Sequence, residues 1–391
     1  MLRGALRLVV GTVSLATGGW VLRALHGAPA ALGAQPADIH AVADRSPNFH
    51  NGVFVNLEPP SMSIDPEQGR SLLWEIITGL EDAKPSAEIP LDTPEPRAFD
   101  TPASQIAVSW FGHSTALLEI DGYRVLTDPV WSDRCSPSDV IGPARMPPPP
   151  VPLEALPALD AIVISHDHYD HLDIDTIIAL ARSQWAPFVV PLGVGAHLRN
   201  WGIPDERVIE LDWNESTKID ELTLVCTPAR HFSGRFLSRF NTLWASWAII
   251  GPAHRAYFGG DTGYTKSFAE IGGEHGPFDV TLLPVGAYNK VARDVHMNPE
   301  DAVQAHLDVR GGLFVPIHWC TFRLAPHPWA EPIERLLVAA EAAGVTVAVP
   351  KPGGRVEPGG VAEPDLWWRL KDTVNQVQEA AKNALKDGTK E

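Results

Sequence analysis

The chain has 391 residues, 45% hydrophobic and 20% charged, with 31 basic against 48 acidic side chains and a net charge of -17. That length and apolar content supply a sizeable core, as one large domain or two ordinary ones. The acidic balance argues against nucleic acid as the main partner. Three cysteines, Cys135, Cys226 and Cys320, are odd in number and lack metal-motif spacing, which argues against a disulfide framework.

At the N-terminus, Arg3 and Arg7 precede an uncharged run from Leu8 to Leu22. Such a run fits the core of a signal peptide and is short for a membrane-spanning helix of about 20 residues. Ala28 and Ala30 form an A-x-A cleavage pattern. A short uncleaved anchor and an amphipathic or buried first helix are the other readings. In each of them residues 1–34 are excluded from the catalytic fold. Residues 35–103 are polar and punctuated by proline, with one helix expected in "GRSLLWEIITGL", and read as a leader packed on the core.

Regular structure begins near residue 104. "IAVSWFG", "ALLEIDG" and "YRVLTDP" are short β-type runs, and Asp121-Gly122 is a hairpin turn signal. The Pro-rich loop "GPARMPPPPVPLEALPALD" cannot be the interior of a strand or helix, because its prolines lack N–H groups. It leads into the apolar strand "AIVIS", and "LTLVCTPA", "WASWAIIG", "RAYFGGD", "FDVTLLPVG", "GLFVPIHW" and "VTVAVPKPGG" follow. Helices fall between them. "NPEDAVQAHLDV" has Asn298 as N-cap and Pro299 at its first position, and "EPIERLLVAAEAAG" closes on Gly344. Two groups of strands with interleaved helices predict an α/β fold of sheets packed face to face, helices outside, over residues 104–362. Residues 363–391 place Leu366, Leu370, Val374, Val377, Ala381 and Leu385 at helical spacing, an amphipathic C-terminal helix expected to dock on the domain.

The stretch "ISHDHYDHLD" concentrates the chemistry. His166 and His168, two apart in an extended segment, can aim at one point, and Asp170 and His171 follow at once. Imidazole and carboxylate are ligands for zinc and similar divalent ions; without thiolates the set discriminates less between zinc, iron and manganese. The cluster needs partners from elsewhere. His231 in "LVCTPARHF", Asp261 in "AYFGGDTGY" and His318 in "FVPIHWC" each sit at the end of a β-type run. Any one of them alone reads as an ordinary satisfied polar residue.

This order of motifs resembles the metallo-β-lactamase fold superfamily. It is most similar to the branch of N-acyl-phosphatidylethanolamine phospholipase D and its bacterial relatives, through "WFGHSTALLEIDG", "LDAIVISHDHYDHLD", "FGGDTGY", "GPFDVTLLPVGAY" and "IHWCTF". The resemblance covers roughly residues 105–325 and implies a four-layer αβ/βα sandwich of two mixed β-sheets. It implies one metal ion at His166, His168 and His231, a second at Asp170, His171 and His318, and Asp261 bridging them. Two divalent ions, zinc first with iron or manganese as alternatives, about 3.5–4 Å apart would share the hydroxide that attacks phosphorus.

Asp170 and His296 are the expected catalytic side chains, and Tyr169 and His296 the expected substrate contacts. Asp128 and His113 are expected to hold the ligands by hydrogen bonds, as metal histidines require. The bland readings are a turn cap for Asp128, a structural role for His113, packing for Tyr169 and a solvated loop for His296. Tryptophans such as Trp131, Trp213, Trp244 and Trp247 line an acyl groove or fill the core.

The activity implied is cleavage of an N-acylated ethanolamine phospholipid at a membrane surface. The alternatives are a lactonase or other ester hydrolase on the same metal centre, and a non-enzymatic envelope protein. The expected location is the bacterial cell envelope, or the cytoplasm if the first segment is not an export signal. No nucleic-acid partner is expected, and a homodimer is left open.

Overall fold

A computed structural model describes residues 19–20, 23–58, 84–94, 105–235, 239–289, 292–360 and 365–370. The apolar run of the N-terminus up to residue 18, the helix expected over residues 69–80 and the tail beyond residue 370 lie outside the described residues. Among the described residues no helix is long and apolar enough to cross a membrane.

The leader carries a two-stranded hairpin, β1 (Phe49–His50) and β2 (Val53–Phe54). The first large sheet takes β3 (Ile106–Gly112), β4 (Thr115–Ile120), β5 (Tyr123–Thr127), β6 (Ala161–Val163), β7 (Phe188–Pro191) and β8 (Val208–Leu211). The second takes β9 (Ser216–Ile219), β10 (Leu222–Pro228), β11 (Ala245–Ile250), β12 (Arg255–Phe258), β13 (Phe278–Pro284), β14 (Gly311–Ile317) and β15 (Thr346–Val347). Finally β16 (Arg355–Val356) returns to the outer edge of the first sheet, beside β3.

Each sheet is antiparallel in one half and parallel in the other. In the first, β3–β5 are antiparallel and β5–β8 parallel. In the second, β9–β12 are antiparallel and β12–β15 parallel. The parallel strands "AIV" and "FVVP" are buried throughout, as strands covered on both faces must be. The edge strand β9, "STKI", is partly exposed and carries Lys218. Asp121 and Gly122 both adopt positive φ, 48° and 88°, the two-residue turn that their sequence demanded.

Side-chain alternation divides the core. On β4, Ala116, Leu118 and Ile120 join the large cluster that also holds Trp247, Tyr257 and Phe314 of the second sheet. Leu117 faces the other way, into a second cluster with Ile162, Ile164, Ile177 and Leu180 under the helix Ile174–Ser183. The helices Ser267–Glu274, Pro299–Asp308 and Glu331–Ala343 add Phe268, Val303 and Ile333 to the large cluster. The result is the four-layer αβ/βα sandwich. Trp213, Trp244 and Trp247 are buried in the core rather than lining a groove, and the burial of each contributes about 1.5–3 kcal/mol or more.

Residues 28–34 are hydrogen-bonded to the catalytic fold. The carbonyl of Ala30 accepts Trp201 Nε1 (2.8 Å), that of Ala31 accepts Arg235 Nε (2.8 Å), and the N–H of Ala34 donates to His197 Nδ1 (2.9 Å). The contacts are made by main chain, which the small residues of an A-x-A pattern leave accessible. At the other end, Trp367 and Trp368 are buried, with the Trp367 ring 5.3 Å from that of Trp319.

Candidate metal centre

Four strand ends deliver the site. β6 runs into His166, His168, Asp170 and His171; β10 leads to His231, β12 to Asp261 and β14 to His318. The approach is close. A Cβ on Gly260, whose φ is +56°, would meet Ser165 Cβ at 2.5 Å, and one on Gly286 would meet the His318 carbonyl at 2.1 Å. His113, Asp128 and His318 themselves have positive φ, of 50°, 34° and 62°, backbone strain gathered around one spot.

Hydrogen bonds fix which nitrogens face inward. Asp128, fully buried at the end of β5, accepts Ser165 N–H at Oδ1 (2.7 Å) and Ser165 Oγ–H at Oδ2 (2.6 Å). The same Oδ2 lies 2.6 Å from His171 Nδ1. His171 therefore carries its proton on Nδ1 and turns Nε2 inward. Ser165 Oγ, its own proton spent on Asp128, accepts from His166 Nδ1 (2.9 Å), which frees His166 Nε2. His231 Nδ1 donates to the Val295 carbonyl (2.9 Å), which frees its Nε2.

The freed atoms converge in two nests. In the first, His168 Nδ1 lies 2.7 Å from His166 Nε2 and 3.4 Å from His231 Nε2. In the second, Asp170 Oδ2 lies 3.3 Å from both His171 Nε2 and His318 Nε2, while Asp261 Oδ2 lies 3.2 Å and 3.0 Å from the same two nitrogens. Asp261 Oδ2 is also 3.8 Å from His231 Nε2, which puts it between the nests. A tetrahedron of nitrogen and oxygen ligands around zinc, with bonds of about 2.0–2.2 Å, has edges of about 3.3–3.6 Å. Most donor pairs stand within a few tenths of an ångström of that spacing, His166 and His168 being closer at 2.7 Å, and lone pairs so arranged repel unless a cation lies among them. His171 Nε2 and Asp261 Oδ1 are moreover buried without a hydrogen-bond partner.

The electrostatics agree. Burial opposes the charge on Asp170 and Asp261, yet His171 and its neighbours hold both carboxyls well below their usual range. Burial would likewise lower His171 and His318, but the facing carboxylates of Asp261 and Asp170 override it, with Asp128 adding to the pull on His171. His171 is raised well above its usual value and His318 is pushed up to about 9. Protons on these rings stand where metal charge is called for. Burial and His318 drive His113 down to about 3, so its neutral ring donates Nε2–H to Asp170 Oδ2 (2.9 Å). The His113 carbonyl accepts His318 N–H (2.9 Å), so one residue braces two candidate ligands.

The substrate candidates lie around the same spot. His296 Nδ1 is 3.8 Å from Asp261 Oδ2 and has no hydrogen-bond partner; burial lowers its pKa to about 4. The Asn298 side chain takes Asp301 N–H (2.7 Å), capping the helix that begins just after His296. Half-buried Tyr169 lies 4.1 Å beneath the Arg235 guanidinium, its hydroxyl unpartnered. Cys320 is buried beside His318 and its thiol is pushed up by burial, so it stays protonated.

Three supports had no sequence signal. Asn56 of the leader grips the main chain of His231. Buried Arg235 donates to the carbonyls of Asp167 (2.6 Å) and Leu172 (3.0 Å), the two ends of the histidine loop. Asp167 Oδ1 accepts Gly234 N–H (2.7 Å) and its Oδ2 faces His197 Nε2 (3.3 Å).

Residues 123–319 match the β-lactamase superfamily domain. The chain is 67% identical to an uncharacterized protein of Mycobacterium tuberculosis over 374 residues, 95% of this chain and all of that one. It is 40% identical over 246 residues to an N-acyl-phosphatidylethanolamine-hydrolyzing phospholipase D of Caenorhabditis elegans, covering 60% of this chain and 69% of the relative. Among solved structures it is similar to a metallo hydrolase of the archaeon Ignicoccus hospitalis, with 26% identity and a TM-score of 0.51 over 64% of this chain and 97% of that one. With its fold and donor nests, the chain belongs to the metallo-β-lactamase superfamily and is a metal-dependent hydrolase.

Proposed function

We propose that this hydrolase cleaves the phosphodiester of N-acylated ethanolamine phospholipids, releasing N-acylethanolamine and phosphatidic acid. The observation that carries the dinuclear hydrolase part of the reading is the pair of donor nests sharing Asp261 Oδ2. His166, His168 and His231 would hold one divalent ion, and Asp170, His171 and His318 a second, with Asp261 serving both. Zinc suits this set of imidazoles and carboxylates. Bound there, the ion pair supplies a water that ionises near neutral pH and positive charge for the departing oxygen. No side-chain nucleophile is needed.

The protein's own groups prepare that chemistry. Asp128 fixes the His171 tautomer, and His113 holds the Asp170 carboxylate. His296 Nδ1 and the Tyr169 hydroxyl, both buried without a hydrogen-bond partner, are the groups that would meet a phosphoryl oxygen. The phospholipid class rests on the similarity to the nematode relative, and it implies that the enzyme meets its substrate at a lipid surface. A defined mixture of phospholipids, phosphodiesters and lactones, analysed for products with and without chelator, tests the reading. The expected result is N-acylethanolamine release that the chelator abolishes. Lactone opening by the loaded enzyme with every phosphodiester left intact would overturn it.

A further inference from the structure

Asn56 lies in the leader, 175 positions before His231, yet its carboxamide takes both main-chain groups of that residue. Nδ2 donates to the His231 carbonyl at 2.8 Å, and Oδ1 accepts the His231 N–H at 3.0 Å. Oδ1 also accepts Trp244 Nε1 (3.0 Å), a group shared with the Ala229 carbonyl. The amide orientation is unambiguous, since the flipped form would set oxygen against oxygen and N–H against N–H.

The position of this clamp matters. β10 ends at Pro228; beyond it Arg230 is tied by its N–H to Thr262 Oγ1 (3.0 Å) and by its carbonyl to the Gly263 N–H (2.8 Å), and at His231 itself Asn56 takes the main-chain groups. The His231 ring is held at Nδ1 by the Val295 carbonyl (2.9 Å), so the reach of Nε2 towards His168 Nδ1 (3.4 Å) depends on where the main chain stands. The leader is anchored for this task. Phe54, two residues earlier, is buried and donates its N–H to the Phe240 carbonyl (2.7 Å), and Glu58, two residues later, accepts Thr265 Oγ1 (2.6 Å) and Lys266 N–H (2.8 Å).

We infer that Asn56 is a positioning residue for the first metal ion: the leader completes the site at His166, His168 and His231 by clamping His231. This rests on the dinuclear reading above. Supports of this kind are worth about 10–100-fold in metal affinity.

The test compares the full chain with Asn56→Ala, Asn56→Asp and Arg45→Ala, each loaded with zinc and titrated with a competing chelator. Cobalt loading adds the visible spectrum as a readout of the coordination at each nest. Arg45→Ala removes another leader contact, the ion pair with Glu215 (2.9 Å), without touching His231. The expected result is loss of one ion from Asn56→Ala at about 10–100-fold weaker chelator, with the second ion and the Arg45→Ala protein unchanged. Asn56→Asp keeps the acceptor at Oδ1 but sets a carboxylate oxygen against the His231 carbonyl, so it shows the same selective loss even if the alanine variant fails to fold. Equal retention of both ions in the Asn56 variants and the parent, whatever their thermal midpoints, would overturn the inference alone. Fewer than two ions in the parent would overturn the dinuclear reading itself.

Discussion

Asp128 and His171 meet at 2.6 Å, carboxylate to Nδ1, with both side chains fully enclosed. Because Oδ1 and Oδ2 of Asp128 also take the N–H and hydroxyl of Ser165, a single carboxylate sets the rings of both His171 and, through Ser165, His166. Asp128→Asn keeps the shape but presents an NH₂ group or a weaker acceptor to these donors. It is expected to lower metal affinity about 10–100-fold at both nests, read by chelator competition. Unchanged affinity would reduce Asp128 to a turn cap.

The protonation of the nests predicts a pH optimum for stability of the ion-stripped protein. His318 is raised to about 9 and His171 is raised as well, so their contribution is full below the unfolded value of about 6.5 and is lost as pH climbs through 9. His113 and His296 are lowered, to about 3 and about 4, so the unfolded chain binds more protons than the folded one below about 6.5 and stability falls as pH drops. Calorimetry of stripped protein should therefore show its highest Tm near pH 6.5. The metal-loaded protein should gain stability over the stripped one as pH rises towards 9, because ions replace the protons on His171 and His318. A stripped protein whose Tm keeps rising from pH 6.5 to 9 contradicts the assignment.

His113 adopts φ 50°, so substitution must respect the backbone. Asparagine tolerates that region, whereas alanine there carries about 1–2 kcal/mol of strain. His113→Asn is expected to fold and to lower kcat about 10–100-fold with little change in KM, since it removes the donor that holds Asp170 and leaves the groups facing substrate in place. A change confined to KM would assign His113 to substrate instead.

The convergence of the candidate ligand positions was legible because each obeys a local rule. His166 and His168 alternate in an extended segment, and His231, Asp261 and His318 each end a β-type run that the hydrophobic pattern reveals. The two groups of strands, the Asp121-Gly122 turn and the Asn298 cap follow from residue chemistry in the same way. Asn56, Arg235 and Asp167 obey no local rule. Each is a single polar residue whose partners lie tens to hundreds of positions away, and several of those partners are main-chain groups that look alike in every sequence. The docking of residues 28–34 was hidden for the same reason: its carbonyls and N–H do the binding, and alanine announces neither.

Arg235 joins these hidden contacts. Its guanidinium bonds the Ala31, Asp167 and Leu172 carbonyls while lying over the Tyr169 ring, so a flat fork is required. Arg235→Lys keeps the charge but concentrates it on one nitrogen, which cannot span three carbonyls and stack at once. The variant should lose roughly 2–4 kcal/mol of stability, the scale of a buried charged group left partly unpaired. It should also free residues 28–34, so that limited proteolysis cuts there in the variant and spares the parent. Because the same guanidinium ties both ends of the histidine loop, metal affinity should fall together with protection of the arm. Loss of one without the other would show that the arm and the metal loop are held independently.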